Sequence, residues 1–446
     1  MIGLAMFFTA LLLLVVGYPV AFTFGAVSMF FGALSAYFQV IPDGGTMVDF
    51  MDEFLQMFSM MPFRIFSIMT NKILIAVPLF IFMGIVLQKS ELASRLLESM
   101  GVLFGRVRGG LAVSTVLIGA LLAASTGVVG ASVVAMGIIS LPVMLKYGYS
   151  KQLSTGTICA AGTLGQIIPP SIVLIVLGDV FQLPVGDLFR LAFFPGITLV
   201  GLYVSYILIV SYFKKDIAPA IEYDENFSKA QNVKKALIAI IPPLILIIMV
   251  LGSIFAGIAT PTESAAVGSI GAILLAWSYK QLSIDMIRQA SVATMKITAM
   301  VFAILIGATA FSMVFVYSGA DDITANFMMN LPGDKWGFLI LSMLAIMFLG
   351  FFIDFIEISY IVLPILIPIA HQIGLDPTWF AILIALNLQT SFLTPPFGFS
   401  LFYLKGVTPP SVLTTDIYKG VLPFILLQIL LLISVVLFPH FYGFNS

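Results

Sequence analysis

The Pro-Pro pairs Pro169-Pro170 and Pro395-Pro396 stand inside long apolar runs. Proline has no N–H to donate and clashes with the preceding turn, so a pair of them breaks a helix. Around the first pair lie Gly162, Thr163, Gly165 and Ser171; around the second lie Asn387, Gln389, Thr390, Thr394 and Gly398. Glycines permit close backbone approach, and a break frees carbonyl oxygens. Carbonyl and hydroxyl oxygens are what a small, hard cation prefers. A single proline would read as a kink that shapes packing; two matched pairs read as sites.

Two more segments carry candidate chemistry. Ser125-Thr126-Gly127-Val128-Val129-Gly130-Ala131-Ser132 is a run of small residues suited to a tight turn. A helix starting there points N–H groups at whatever lies beyond, an end that attracts anions. Ser125, Thr126 and Ser132 could therefore hold a cation or a carboxylate, and the alternative is a small-residue packing face. The second segment, Gly350 to Ser359, holds Asp354 and Glu357 in an apolar run, three apart and so on one helix face. Charge in such a run is costly and usually marks an ion or substrate path. Asp354, nearest the Gly350 break, is the stronger candidate; Glu357 equally suits an ion pair with a neighbouring helix. Glu263, in Thr260-Pro261-Thr262-Glu263, reads as part of a helix cap. No phosphate-binding loop, nucleophile elbow or metal-ligand cluster is present in the sequence, so ATP hydrolysis and covalent catalysis have no support and the chain is not expected to be an enzyme.

The elements around these residues are apolar. Of 446 residues 61% are hydrophobic and 9% charged, with a mean hydropathy of +1.14. Soluble domains run at about 25% charged, so this is a polytopic membrane protein, with lipid as its surroundings. The single cysteine, Cys159, excludes an internal disulfide, and two histidines argue against a His-based metal site. A net charge of −1 gives no reason to expect a nucleic-acid partner. About 20 apolar residues cross a bilayer. Spans are expected near 2–16, 20–40, 71–88, 152–178, 189–212, 237–255, 262–279, 292–317, 378–404 and 420–439. The first reads as a retained span rather than a cleaved leader, because no basic segment precedes it. The stretches 109–145 and 336–370 each suit two half-crossings, that is, a re-entrant hairpin.

Positive charge orients the chain. With the N-terminus outside, fifteen of the 20 basic residues fall inside, among them Arg106 and Lys146 at the two feet of the first hairpin. Asp43, Asp49, Asp179, Asp187, Asp321 and Asp334 fall outside, and so does the C-terminus. The halves repeat: Pro170 and Pro396 are 226 apart, and Leu141-Pro142 recurs as Leu363-Pro364. Because the early turn at Gly17-Tyr18-Pro19 is inside and that at Thr260-Pro261 is outside, the repeat is inverted, as in many secondary transporters. Residues 213–236 read as the linker between halves. Residues 49–69 and 280–290 read as helices lying at the interface, with an ordinary loop as the alternative for the second.

Together these motifs resemble the large membrane subunit (DctM-like) of tripartite ATP-independent periplasmic (TRAP) transporters. The resemblance rests on Ala124-Ser125-Thr126-Gly127 through Met136-Gly137, Tyr147-Gly148-Tyr149, Gly162 through Ser171, Gly257 with Thr260-Pro261-Thr262-Glu263, Asp354 with Pro364 and Pro368, Gly374-Leu375-Asp376-Pro377, and Thr394-Pro395-Pro396-Phe397-Gly398. It covers essentially the whole chain. It implies sodium-coupled uptake of an organic acid, typically a carboxylate, across a bacterial inner membrane. It also implies a small membrane subunit (DctQ-like) and a periplasmic substrate-binding protein (DctP-like). The mechanism implied is an elevator, in which a transport domain moves against a scaffold. One sodium site would involve Ser125, Thr126, Gly127, Gly162 and Gly165, and a second Gly350, Asp354, Thr390 and Thr394. Ser132, Pro169, Pro170, Ser171, Pro395, Pro396 and Gly398 would face the substrate between them. Many relatives have a serine shortly after the tip glycine where this chain has Val128, so no particular acid follows.

The expected architecture is all-helical: ten spans, two re-entrant hairpins, two inverted repeats. Residues 1–108 are expected to be scaffold with an interfacial arm, and 109–178 the first hairpin and broken helix. Residues 189–291 are expected to be scaffold with the linker and second arm, and 292–335 a scaffold helix and outer loop. Residues 336–404 would be the second hairpin and broken helix, and 405–446 a loop and last helix. The rival readings are a stand-alone sodium/dicarboxylate symporter or antiporter of the same superfamily, a channel, and an intramembrane enzyme, for which only Asp354 with Glu357 offers a pair.

Overall fold

A computed structural model describes residues 1–90, 96, 100, 104, 107–126, 129–220 and 229–444. Among them the chain is helical. In a bilayer every backbone N–H and C=O must be paired within the protein, which leaves helices as the way to cross. The first half runs α1 (Ile2–Val16), α2 (Val20–Val40), α3 (Met47–Phe58), α4 (Met61–Thr70), α5 (Ala76–Lys89), α6 (Gly110–Thr126), α7 (Val129–Lys146), α8 (Lys151–Thr163), α9 (Ile172–Val180) and α10 (Val185–Phe213). The second half runs α11 (Lys229–Phe255), α12 (Pro261–Ser278), α13 (Ile284–Tyr317), α14 (Ala320–Met329), α15 (Asp334–Leu349), α16 (Phe355–Gln372), α17 (Pro377–Leu393), α18 (Phe399–Lys405) and α19 (Thr414–Leu437).

Six of these, α2, α7, α10, α13, α16 and α19, are long and apolar enough to cross a membrane. Their outer faces are apolar as well. On α19 the residues Leu422, Leu426, Leu430, Ile433 and Leu437 are each at least half exposed, one per turn along one side. A stripe of that kind faces lipid rather than water.

The helices pack in two groups. In one, α5 lies against α12 and α13, α13 against α2, and α11 against α12. In the other, α8 lies between α6, α7 and α19, and α17 packs on α15 and α19. The span at 189–212, placed with the scaffold on sequence grounds, lies in this second group: α10 packs on α6, α17 and α19. The tightest crossing joins the halves. A Cβ on Gly156 of α8 would sit 2.0 Å from the Gly420 carbonyl of α19, and one on Gly420 would sit 2.2 Å from the Gln152 carbonyl.

Both hairpins are pairs of antiparallel helices. The feet of the first meet one segment, since Gly109 N–H donates to the Ala218 carbonyl at 3.1 Å and Ser150 N–H to the Ile217 carbonyl at 2.8 Å. Arg108 and Lys146 therefore end on the same side. Other segments grouped by charge also meet: Lys89 Nζ donates to Gln289 at 2.8 Å and Lys151 Nζ to the Ser411 carbonyl at 2.5 Å. The second limb of each hairpin, α7 and α16, has 18 residues, about 27 Å at 1.5 Å per residue. Length alone would let either limb cross, and it is charge that favours re-entry.

Two expectations change. Residues 49–69 form two helices, α3 and α4, broken at Ser59-Met60, and Thr46 with Asp49 makes a capping box at the start of α3. Residues 280–290 do not form a separate interfacial helix. Ser283 caps a single 34-residue helix, α13, which runs unbroken through the span. No proline interrupts Ile284–Tyr317, so nothing in that stretch ends a helix. The linker is likewise shorter than expected: α11 begins at Lys229, and 221–228 lie outside the described residues.

Candidate functional site

The first break lies between α8 and α9. Helix α8 tightens into a 3-10 turn over Leu164–Gln166, and an irregular stretch then carries the cis Pro169-Pro170 bond. Ser171 closes the gap. Its Oγ donates to the Gln166 carbonyl at 2.8 Å and accepts from Leu174 N–H, capping α9. Thr163, Gln166 and Ser171 have no exposed surface, and Gly165 is buried with them. Gly162 presses on the first hairpin, where an added Cβ would lie 2.3 Å from Val133 Cγ2 on α7. Ser132, one residue earlier, is buried. Gly127 and the side chains of Ser125 and Thr126 lie outside the described residues.

The second break lies between α17 and α18 and carries the cis Pro395-Pro396 bond. Here the backbone closes the gap, with Gly398 N–H donating to the Thr394 carbonyl at 3.0 Å. A ladder of hydroxyls precedes it: Thr390 Oγ1 donates to the Leu386 carbonyl, Ser391 Oγ to Leu388 and Thr394 Oγ1 to Thr390, at 2.7–2.8 Å. These oxygens keep lone pairs with which to accept or ligate. The hairpin tip is pressed against this helix. A Cβ on Gly350 would lie 2.2 Å from Ser391 Oγ, and the Phe352 and Phe397 rings sit 5.1 Å apart. Asp354 caps the first turn of α16, accepting from Phe355 N–H at 2.7 Å. Glu357 is 3% exposed, and its Oε2 has no hydrogen-bond partner among the described residues.

Each tip also meets the other half. The Tyr403 ring on α18 packs onto Gly130 beside the first tip, 2.8 Å from where a Cβ would stand. Reciprocally, α9 packs against α16 of the second hairpin, whose Ile358–Val362 segment is a π-turn. Two broken helices thus come together with described residues of both hairpins. Freed carbonyls, hydroxyls and a carboxylate there could hold cations, and the helix starts could receive an anion.

Most of this region is marked by sequence motifs, but two of its features are not. Gln166 lies inside the first motif yet was not weighed as a ligand. Asp179, read from the sequence as an outer-loop acid, is 8% exposed and bridges three elements. It accepts from Asn71 Nδ2 at 2.5 Å, just before α5, and from Tyr360 OH at 2.9 Å, on α16. These partners are 108 and 181 residues away, so no local pattern announces them.

Residues 7–441 match the family described as the DctM component of tripartite ATP-independent periplasmic transporters. Over 378 residues the chain is 31% identical to the C4-dicarboxylate TRAP transporter large permease protein DctM of Pseudomonas aeruginosa, covering 84% of this chain and 86% of that one. It is 30% identical over 432 residues to the isethionate TRAP transporter permease protein DctMQ of Oleidesulfovibrio alaskensis, covering 96% of this chain and 64% of that protein. The crystal structure of the Alcanivorax borkumensis YdaH transporter shares the fold, with a TM-score of 0.62 over 88% of this chain and 90% of that one, at 15% identity. The chain belongs to the DctM family, the large membrane permeases of TRAP transporters.

Proposed function

We propose that this permease couples inward sodium flow to uptake of an organic anion by an elevator motion. The family match over residues 7–441 carries this reading; the paired breaks, each pressed by a hairpin tip, support it. The group of α6 to α10 with α15 to α19 is the moving body. The group of α1, α2, α5 and α11 to α13 is the scaffold. One sodium ion sits between the first tip and first break, at Ser125, Thr126, Gly127, Gly162 and Gly165. Another sits between Gly350, Asp354, Thr390 and Thr394. The substrate lies between the two, facing Ser132, Ser171, Gly398 and the two Pro-Pro steps. The relatives named above are a C4-dicarboxylate and an isethionate permease at nearly equal identity, so the substrate class proposed is a small organic acid. A small membrane subunit and a periplasmic binding protein complete the system, with both termini of this chain on the periplasmic side of a bacterial inner membrane.

The test is uptake by proteoliposomes holding this chain and its small subunit. Candidate radiolabelled organic acids are offered while the sodium gradient and the binding protein are varied independently. Uptake that requires both is the expected result. Sodium-driven uptake that ignores the binding protein would move the chain to the stand-alone symporters, and sodium-independent uptake would remove the coupling ion.

A further inference from the structure

Most polar side chains described at the two breaks have a hydrogen bond within the chain. Thr163 Oγ1 donates to the Ala160 carbonyl at 2.9 Å, and Asn387 Nδ2 donates to the Met343 carbonyl at 2.7 Å. Ser171, Thr390, Ser391 and Thr394 are bonded as described above. Two glutamines differ. Gln166 and Gln389 are fully buried, and among the described residues neither amide has a hydrogen-bond partner at its Oε1 or its Nε2. Gln389 has the Tyr203 hydroxyl beside it, whose oxygen already accepts from Gln428 Nε2 at 2.8 Å and whose proton remains to give. The Gln166 amide stays without a partner among the described residues.

An unpartnered amide in a dry interior is costly, and a position that served packing alone would be better filled by an apolar side chain. The backbone of Gln166 is accounted for, because its carbonyl accepts from Ser171 Oγ. What remains to offer is the side chain: an oxygen that suits a hard cation and an NH2 that suits a carboxylate. Its location fits both. The 3-10 turn that carries Gln166 packs against both limbs of the first hairpin and against α17 of the second half. It follows Gly162, the point of contact with α7, by four residues.

We propose that Gln166 bridges the coupling cation and the substrate. Its Oε1 ligates the cation at the first break, and its Nε2 donates to the carboxylate of the organic acid. This rests on the sodium-coupled reading above and adds a residue that ties ion to substrate. In that role Gln166 makes affinity for each depend on the other.

The experiment uses the complex of large and small subunits, purified and in proteoliposomes with the binding protein. The first measurement is the melting temperature in sodium chloride against choline chloride, with no substrate added. The second is the sodium concentration giving half-maximal uptake of the acid found in the assay above. Gln166→Leu should melt at or above the wild type in choline, since it removes an unsatisfied buried amide. It should also lose most of the sodium-induced rise and need at least tenfold more sodium for uptake. Gln166→Glu keeps the oxygen ligand and loses the donor, so it should retain the sodium-induced rise while the KM for the acid increases at least tenfold. If Gln166→Leu does not reach the membrane, Gln166→Met carries the same test. A Leu or Met variant with the wild-type sodium response and wild-type half-saturation overturns the proposal. A wild type with no sodium response in either measurement overturns the sodium reading itself, a distinct outcome read from a different protein.

Discussion

The two breaks share a Pro-Pro step and differ in what surrounds it. At the first, a side chain closes the gap: Ser171 holds the Gln166 carbonyl and caps α9. At the second, the backbone does so through Gly398 N–H and the Thr394 carbonyl, and no side chain caps α18. The hairpins differ in the same sense. The second carries Asp354 and Glu357 just after its tip, whereas the first, from Gly110 to Met144, contains no carboxylate at all. One backbone device is therefore equipped with negative charge in one half and with neutral oxygens and an amide in the other. On the proposed function, a cation at the second break would meet a counter-charge from the protein. A cation at the first would have neutral ligands, and an anionic substrate beside it would be the natural source of compensation. That asymmetry offers a physical route by which ion and acid come to travel together.

The largest expected effect tests the charged half. Asp354→Ala should reduce sodium-dependent uptake by about 100-fold or more, as loss of an intramembrane charge that serves a cation would. Thr394→Ala, which removes one neutral oxygen, should reduce it by about tenfold. Initial uptake rates normalised to permease in the membrane check both. Equal, mild effects would break the comparison by showing that charge at the second break is incidental.

Next comes a carboxylate of the first half that reaches across. Asp179→Ala removes the acceptor of both Asn71 and Tyr360. With two donors left in a buried place, a loss of about 2–4 kcal/mol is expected, at 1–3 kcal/mol per unsatisfied group less what water recovers. Asp179→Asn keeps one oxygen and should lose less. Melting in detergent measures the stability. If the two halves stood independently, Tyr360→Phe, which removes only the bond that joins them, would leave the melting of the assembled chain unchanged.

Smaller still is the difference between closing by side chain and closing by backbone. Ser171→Ala removes a cap and a buried hydrogen bond, and about 1–2 kcal/mol is expected. Ser400→Ala, at the other break, removes one bond to the Phe392 carbonyl, and about 1 kcal/mol is expected. The order of the two melting temperatures sharpens the comparison, and its reversal would show that Ser400 carries the second closure.

Much of this was legible because its cause is local. A proline pair removes two N–H donors from a helix, so both breaks are visible as letters, although Pro242-Pro243 sits within the continuous helix α11. Asp354 stands out because carboxylates are rare in apolar runs. The cap at Thr260-x-x-Glu263 appears as expected, with a capping box. What was not legible depends on distant partners. Residues 280–290 are charged enough to suggest a surface arm, yet without a helix breaker they continue into α13. The place of α10 in the second group follows from neighbours on α6, α17 and α19, which its own apolar pattern cannot specify. Gln166 looks like any polar residue near a turn until the fold leaves its amide without a partner among the described residues.

The smallest effect concerns a cap far from either break, and it separates local from tertiary stability. The Asp49 carboxyl accepts from the Thr46 hydroxyl and the Thr46 N–H, both at 2.7 Å, and these bonds hold it below its usual value of 3.8. A carboxyl depressed on folding contributes stability that is present above its unfolded pKa and is lost as pH falls through the folded one. Asp49→Asn should therefore lower the melting temperature at pH 7 by no more than about 2 °C. The gap between variant and wild type should close as pH drops below 3.8. Because α3 is surface-lying and its cap is exposed, the same change should leave the sodium dependence of uptake untouched. A gap that persisted unchanged in acid would mean that the side chain, not its charge, does the capping.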